Sequence, residues 1–530
     1  MKAAISNVRA SVVLLNINGQ LGVGKGGSLH LGDLATAAFP PEPDDYPIVA
    51  YAPPLHPNCL GHLYFKRSHN LRYAYVIGAM ANGISSVEMV EQAGQAGMLG
   101  FFGAAGLTIP EIDSAITQVQ QRMSALPYGF NLIHSPNEPE LESATVDLYL
   151  KRGVKRVSAS AYLDLTLPLV YFRSHGISRD HQGRVICPNQ IVAKVSRREV
   201  AQKFFSPPPD KLLKHLVTHG MITEQQAMLA KSIPMADDLT AEADSGGHTD
   251  NQPAISLLPT MRALRDELAE KFNYDRPLRV GLAGGIATPD SAAAAFAMGA
   301  DYVLTGSINQ ACLEAGTSDS VRSMLAQASQ ADVSMAPAAD MFEMGVKVQV
   351  LKRGTMFPFR AAKLYDLYCK YDSLEELPAE QKIILERDFF RRSFEEEWEY
   401  TQAYFDRRDP TQIQRAASNP KHKMALVFRS YLGRSSSWAN TGEPSRKIDY
   451  QIWCGPAIGA FNEWVKGSFL EKPENRRIVT VAMNILYGAA VITRINWIRS
   501  QCIPLDSAFQ KYIPQKLSKI NEMLREDLIG

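Results

Sequence analysis

From Tyr73 onward the chain repeats one pattern: a short, almost uninterrupted apolar run, a turn rich in glycine or amide side chains, then a stretch with helical spacing. Ala74-Tyr75-Val76-Ile77 leads into Gly78-Ala79-Met80-Ala81-Asn82-Gly83, and a helix is expected over 86–96, ended by Gly97. Leu99-Gly100-Phe101-Phe102-Gly103 precedes a helix expected from about 109 to 125, and Tyr128-Gly129-Phe130-Asn131-Leu132 one over 141–152. Arg156-Val157-Ser158-Ala159-Ser160 and Gln190-Ile191-Val192-Ala193-Lys194 continue the series, the second with a helix over 197–204. Strands that are apolar throughout are buried on both faces, and strands that alternate with helices pair in parallel. Enough units occur to close a ring. The predicted fold is therefore α/β, a TIM (β/α)8 barrel with its functional loops at the strands' carboxyl ends.

Three late units carry the chemistry. In Ala241-Glu242-Ala243-Asp244-Ser245-Gly246-Gly247-His248-Thr249 an apolar segment enters an acidic turn, two residues lack side chains, and a lone imidazole follows. Taken alone, this reads more readily as a surface turn with an incidental His. Arg279-Val280-Gly281-Leu282-Ala283-Gly284-Gly285-Ile286 and Asp301-Tyr302-Val303-Leu304-Thr305-Gly306-Ser307 repeat the strand-then-glycine form and favour a shared ligand. Paired glycines let main chain approach a flat molecule and adopt positive φ at little cost. A His beyond them can donate, accept or transfer a proton near neutral pH. Ala283-Gly284-Gly285 and Gly306-Ser307 fall, by strand count, at the last two strands, where barrel backbone N–H groups commonly receive a phosphate. The Gly78-Ala79-Met80 loop then lies against the ligand's face or edge. Asn131 and Lys194, at other strand ends, are placed to hydrogen-bond a polar ring edge, and the Lys to stabilise negative charge on it.

The flanking regions read differently. Residues 1–68 form an expected β-rich extension, with a strand from Val12 to Ile17. Gly22-Val23-Gly24-Lys25-Gly26-Gly27 fits the dinucleotide fingerprint, but no helix follows to receive a pyrophosphate, so the match lacks its mechanism. His56, Cys59, His62 and His69 fit no zinc spacing. The barrel is expected over 69–330, interrupted by a helical insertion at about 205–235 in which Thr223-Glu224-Gln225-Gln226 forms a capping box. His215 and His219 lie one helical turn apart, but Leu216 stands where a metalloprotease needs its Glu. Residues 331–530 read as mostly helical, with one charged helix over 389–405 and a buried one from Ile478 to Thr493 that is too short to span a membrane. Asp372-Ser373-Leu374 imitates a carrier-protein attachment site without its preceding glycine.

Charge and cysteine content narrow the partners. With 56 basic against 55 acidic residues, the net charge of +1 makes no electrostatic case for nucleic acid or anionic membrane. Six scattered cysteines without a CxxC argue against disulfides and zinc, and fit a cytoplasmic protein.

Taken together, Gly78-Ala79-Met80, Phe130-Asn131-Leu132, Lys194, Ser245-Gly246-Gly247-His248, Gly284-Gly285-Ile286 and Gly306-Ser307 resemble the nitronate monooxygenase and bacterial flavin enoyl reductase family. The closer resemblance is to the trans-acting enoyl reductases of polyunsaturated fatty acid synthases, with relatives in polyketide assembly lines. It runs over nearly the whole chain. It includes Leu304-Thr305-Gly306-Ser307-Ile308-Asn309-Gln310, Glu314-Ala315-Gly316-Thr317, Lys352-Arg353-Gly354-Thr355-Met356-Phe357 and Trp453-Cys454-Gly455-Pro456-Ala457-Ile458-Gly459-Ala460-Phe461-Asn462. The resemblance implies FMN held at the barrel mouth, NADPH as hydride donor, and reduction of the α,β double bond of enoyl thioesters on acyl carrier protein. His248 is then the catalytic residue, as proton donor or as stabiliser of the thioester oxyanion. The resemblance also implies that 205–235 and 331–500 supply a lid and a carrier-docking surface. Lys352, Arg353, Arg391 and Arg392 are either contacts for an acidic carrier or ordinary surface cations, and a homodimer is left open. The competing expectations are a nitronate-type FMN oxidase using His248 as base, and a docking scaffold without turnover.

Overall fold

The computed structural model describes residues 1–24, 28, 46–123, 125–134, 139–507 and 511–525. Eight parallel strands close into a barrel: β1 (Tyr75–Ile77), β2 (Leu99–Phe102), β3 (Tyr128–Ile133), β4 (Arg156–Ser160), β5 (Gln190–Val195), β6 (Asp238–Glu242), β7 (Arg279–Ala283) and β8 (Val303–Thr305). Closure runs from β8 to β1, with Val303 opposite Tyr75 and Thr305 opposite Ile77. The short strands are buried on both faces because one face fills the barrel and the other meets the helices. Inside, Val76, Leu99, Phe101, Val192, Tyr302 and Leu304 pack together, and Phe65 stacks on Tyr302 at 4.1 Å between ring centres.

The amino ends of the strands are sealed by buried charge. Asp238 at the start of β6 accepts from Arg279 Nη2 at 2.8 Å and lies 2.9 Å from His69 Nε2. Arg156 Nε donates to the other nitrogen of that imidazole at 3.3 Å. His69 is thus a structural residue. His56 and His62 accept backbone N–H groups through Nδ1 and open short helical turns. Among the described residues no cluster of three or more metal-ligating side chains occurs.

The amino-terminal strands Val12–Ile17, Gln20–Gly24 and Ile48–Ala52 form a separate antiparallel sheet. Gly22 and Gly24 of the fingerprint lie in its second strand, as half of a hairpin; Lys25, Gly26 and Gly27 fall outside the described residues. The insertion consists of helices Asp210–Thr218 and Glu224–Ala230, and the Thr223–Gln226 capping box is made from both sides. His215 and His219 stack on each other at 4.1 Å on an exposed face.

Beyond the barrel, the buried helix predicted from Ile478 to Thr493 runs on to Ser500; it is long and apolar enough to cross a membrane rather than too short, but 89% of its apolar window is buried against the protein. Its Arg494 donates to the Asn7 carbonyl, and to that of Ala10 at 2.7 Å, tying the amino terminus down. The helix boundaries predicted at 389–405 also need correction. The helix predicted over 389–405 is two pieces: a π-turn segment, Leu385–Phe390, stops at Arg391 in the left-handed region, and Ser393 caps a new helix, Phe394–Arg408. Within this mostly helical half, two strands, Val333–Pro337 and Lys347–Leu351, form a hairpin. Ser373 Oγ accepts the Glu376 N–H at 3.2 Å within a turn ahead of helix Ala379–Ile384, which gives the carrier-site imitation a structural role.

Candidate active site

The carboxyl ends of the strands open into a cavity of about 1070 Å³, lined by the barrel loops on one side and by helices Phe394–Arg408 and Pro420–Thr441 on the other. Single-ligand pockets occupy about 300–1,000 Å³. This one stands at or above that range, and all thirteen sequence-predicted site residues except Lys194, Asn131 and His248 are glycine, alanine, serine or methionine at its wall. It brings all thirteen together.

The glycine pairs divide their tasks. Gly246 packs main chain against main chain: a Cβ there would stand 2.6 Å from Cys454 Cα and 2.9 Å from Cys454 N. Gly247, at φ +79°, has nothing within 4 Å of such a Cβ. In the same way a Cβ on Gly284 would stand 2.5 Å from the Ala243 carbonyl carbon, whereas Gly285 and Gly306 face open space. Among the described residues no hydrogen bond is made by the N–H groups of Gly285, Ile286, Gly306 or Ser307. Open glycines beside unpartnered N–H donors at the ends of β7 and β8 are a cradle that fits a phosphate. The Gly78 loop is fixed by Ser85, whose Oγ donates to the Gly78 carbonyl at 2.8 Å and accepts the Met80 N–H at 2.9 Å.

The polar strand ends are held as well. Asn131, 5% exposed, donates to the Ser158 carbonyl at 3.1 Å and to Ser160 Oγ at 2.9 Å. Lys194 on β5 donates to Glu242 Oε1 on β6 at 2.7 Å, and Ser245 Oγ donates to the same oxygen at 2.9 Å. The Lys charge is therefore placed by a carboxylate that the sequence reading left without a role.

His248 and Gly247 form a two-residue strand on the edge of the late hairpin, with Gly247 opposite Gln349 and His248 opposite Val348. The buried Gln349 amide donates to Asp244 Oδ1 at 2.8 Å and to the Ser245 carbonyl at 2.7 Å, so the turn before the imidazole is clamped. His248 Nε2 lies 3.0 Å from Asp340 Oδ2. The two side chains are 32% and 38% exposed, and both line the cavity. Burial alone would lower the His248 pKa; the hydrogen bond and charge of Asp340 overcome it and raise the pKa above the ordinary value of 6.5. Burial likewise opposes the Asp340 carboxylate, and the bond to His248 outweighs it and holds that pKa below its ordinary value.

Three contributors escaped sequence reasoning. Asp340 is 92 residues from His248, with no local pattern to mark it. Gly455 N–H donates to Ser307 Oγ at 2.9 Å, bringing the late Trp453-to-Asn462 motif to the cradle. His134 Nδ1 lies 3.0 Å from Glu142 Oε2, and Glu142 Oε1 accepts from Tyr162 at 3.0 Å, forming a polar cluster on the β3–β4 side of the cavity. Histidine just past an apolar strand was the available signal. Of the four cations weighed as carrier contacts, three are engaged within the chain: Arg353 with Asp332, Arg391 with the Ser445 carbonyl, Arg392 with Glu397.

Comparison with known proteins agrees with this architecture. Residues 371–450, which supply most of the cavity's helical roof, match the inserted helical domain of [acyl-carrier-protein] S-malonyltransferase. The chain is 47% identical over 448 residues to a component of the polyunsaturated fatty acid synthase of a Thraustochytrium species, covering 83% of this chain and 30% of that protein. It is 48% identical over 434 residues to the polyketide biosynthesis protein PksE of Bacillus subtilis, covering 82% of this chain and 56% of that one. It thus spans about half or less of the length of these relatives. Among solved structures, the enoyl reductase domain of MlnA from the macrolactin cluster of Bacillus amyloliquefaciens superposes with a TM-score of 0.79 at 44% identity, covering 82% of this chain and 99% of that one. With residues 67–366 matching the family model, the chain belongs to the nitronate monooxygenase family.

Proposed function

We propose that this chain is an FMN-dependent enoyl reductase that acts in trans on α,β-unsaturated thioesters carried by acyl carrier protein, with NADPH as hydride source, in polyunsaturated fatty acid synthesis. One observation carries the reading: 44% identity over 99% of an enoyl reductase domain. The catalytic role of His248 and the cofactor roles of Gly78, Ala79, Met80, Asn131, Lys194, Gly246, Gly247, Ala283, Gly284, Gly285, Gly306 and Ser307 are part of the proposal, as are the barrel at 69–330 and the helical lid beyond it.

FMN, when bound, supplies a two-electron carrier between NADPH and the enoyl β-carbon. The chain's own residues do the rest. The N–H groups of Gly285, Ile286, Gly306 and Ser307, without hydrogen-bond partners among the described residues, would receive the phosphate. Lys194, held by Glu242, stabilises negative charge at a ring edge, and Asn131 presents an amide fixed by β4. As charge develops on the thioester, His248 is the group able to stabilise it or to protonate the α-carbon. The helical roof covers the strand ends, and the cavity of about 1070 Å³ offers room for an acyl chain as well as a coenzyme. The late region's match to the malonyltransferase helical insert supports a surface that meets a carrier.

The family model itself favours a second reading, nitronate oxidation with oxygen as electron acceptor. Anaerobic stopped-flow mixing separates the two. Protein loaded with FMN and reduced by NADPH is reoxidised rapidly by a carrier-linked crotonyl thioester under our reading. Reoxidation only by oxygen, with turnover of a nitronate, establishes the second.

A further inference from the structure

The hairpin that pins His248 does so twice. Its second strand, Lys347–Leu351, pairs with the His248 backbone, and Asp340, in the connection back to its first strand, reaches the imidazole. That connection is itself anchored. Arg429, on helix Pro420–Thr441, donates from Nε to the Ala339 carbonyl at 2.9 Å and from Nη1 to Glu343 Oε1 at 3.2 Å. The carboxylate therefore sits on a braced loop between two fixed neighbours. His248 Nδ1 makes no hydrogen bond among the described residues, and the ring lines the cavity.

We infer that Asp340 is a positioning residue which turns His248 into a proton donor: its carboxylate takes the Nε2–H, fixes the ring, and leaves Nδ1–H free to protonate the substrate α-carbon. The inference rests on the enoyl reductase reading and selects between the two roles left to His248. With hydride supplied to the β-carbon by the bound coenzyme, a new C–H bond would form there and the former π pair would move toward the α-carbon and thioester oxygen. The Nδ1–H bond then breaks, its proton forms the α C–H bond, and the imidazolium becomes a neutral imidazole still bonded to Asp340. Solvent returns the proton before the next cycle. A general acid suits this step only while it is protonated at working pH. Other charges face the ring: Lys194 opposes protonation and Glu242 favours it, and these two are paired with each other at 2.7 Å. Lys347 lies beside the strand partner Val348, and Arg429 acts on Asp340. The Asp340 contact is the one that tips the balance.

Asp340→Asn keeps the shape and removes the charge. In flavin-free protein, NMR titration of 15N-labelled histidine reads His248 directly. The expected result is a wild-type midpoint above 6.5 and a lower one in the variant. In the FMN-loaded enzyme, enoyl-thioester kcat of the variant falls by less than about threefold at pH 6 but by about tenfold or more at pH 8.5. A merely structural role lowers kcat by one factor at every pH. An unmoved midpoint, or a loss independent of pH, overturns the inference. If Asp340→Asn does not fold, the wild-type titration decides: a His248 midpoint at or below 6.5 overturns it, and Asp340→Glu, which keeps the charge, must retain the raised value. A wild-type enzyme that reduces no enoyl thioester rejects the enoyl reductase reading instead, and the NMR titration still judges the couple.

Discussion

Gly246→Ala tests how the barrel mouth is built. The added Cβ would stand 2.6 Å from Cys454 Cα, 2.7 Å from its carbonyl carbon and 2.9 Å from its nitrogen. Ordinary contact begins at 3.4 Å, so the Cys454 segment must retreat by about 0.8 Å. No side chain can swing aside, because all three atoms are backbone. Overpacking of this kind costs about 1–3 kcal/mol. The retreat also strains the Gly455 N–H bond to Ser307 Oγ, worth a further 0.5–1.5 kcal/mol or so. The sum is a loss of roughly 1.5–4.5 kcal/mol. Gly247→Ala meets nothing within 4 Å and pays only for its φ of +79°, about 1–2 kcal/mol. Urea unfolding followed by tryptophan fluorescence compares the two variants under identical conditions. Gly246→Ala must be the less stable. Equal stabilities, or a Gly246→Ala indistinguishable from wild type, would refute the backbone-on-backbone contact.

Other outcomes follow from the same geometry. Gly285→Ala pays about 1–2 kcal/mol for its φ of +75° but meets no protein atom and places its methyl group in the cradle, so the fold survives while bound FMN is lost; a yellow protein with full flavin content would remove Gly285 from the phosphate site. His248→Ala retains flavin and its reduction by NADPH but slows reoxidation by an enoyl thioester by about 10²–10⁴-fold in stopped flow, and unchanged reoxidation would exclude this imidazole from the chemistry. Asp238→Asn leaves Arg279 buried beside a neutral group and destabilises the chain by about 3–5 kcal/mol in chemical denaturation without altering the cavity. Burial opposes the Asp238 charge, but Arg279 and His69 outweigh it and depress its pKa. Its stabilising contribution is therefore complete above the ordinary carboxylate value of 3.8 and is lost as pH falls below it. Acid unfolding of Asp238→Asn should lack that component.

The barrel was legible because each strand is a local event. Ala74–Ile77 or Gln190–Lys194 announces itself by an apolar run ended by glycine or a polar residue, and parallel pairing follows from the intervening helices. The glycine cradle was legible for the same reason, since Gly284-Gly285 and Gly306-Ser307 directly follow their strands. Asp340 and Gln349 were not, because their partners lie 92 to 105 residues away and neither sits in a distinctive local pattern. The predicted 389–405 helix failed at Arg391, where Phe390 and Phe394 are drawn into one apolar cluster and the chain turns between them. Helical periodicity on both sides of that residue gave no sign of the break.

The contact of Cys454 and Gly455 with Ser245-Gly246 and Ser307 has a practical consequence. A chain cut after residue 366, where the family match stops, keeps every barrel strand and every glycine of the cradle. It nevertheless loses the stretch that wedges the His248 turn and the β8 exit against each other. Such a fragment also loses the buried helix Ile478–Ser500, so transplanting the reaction onto a minimal barrel requires carrying over segments that begin almost ninety positions downstream.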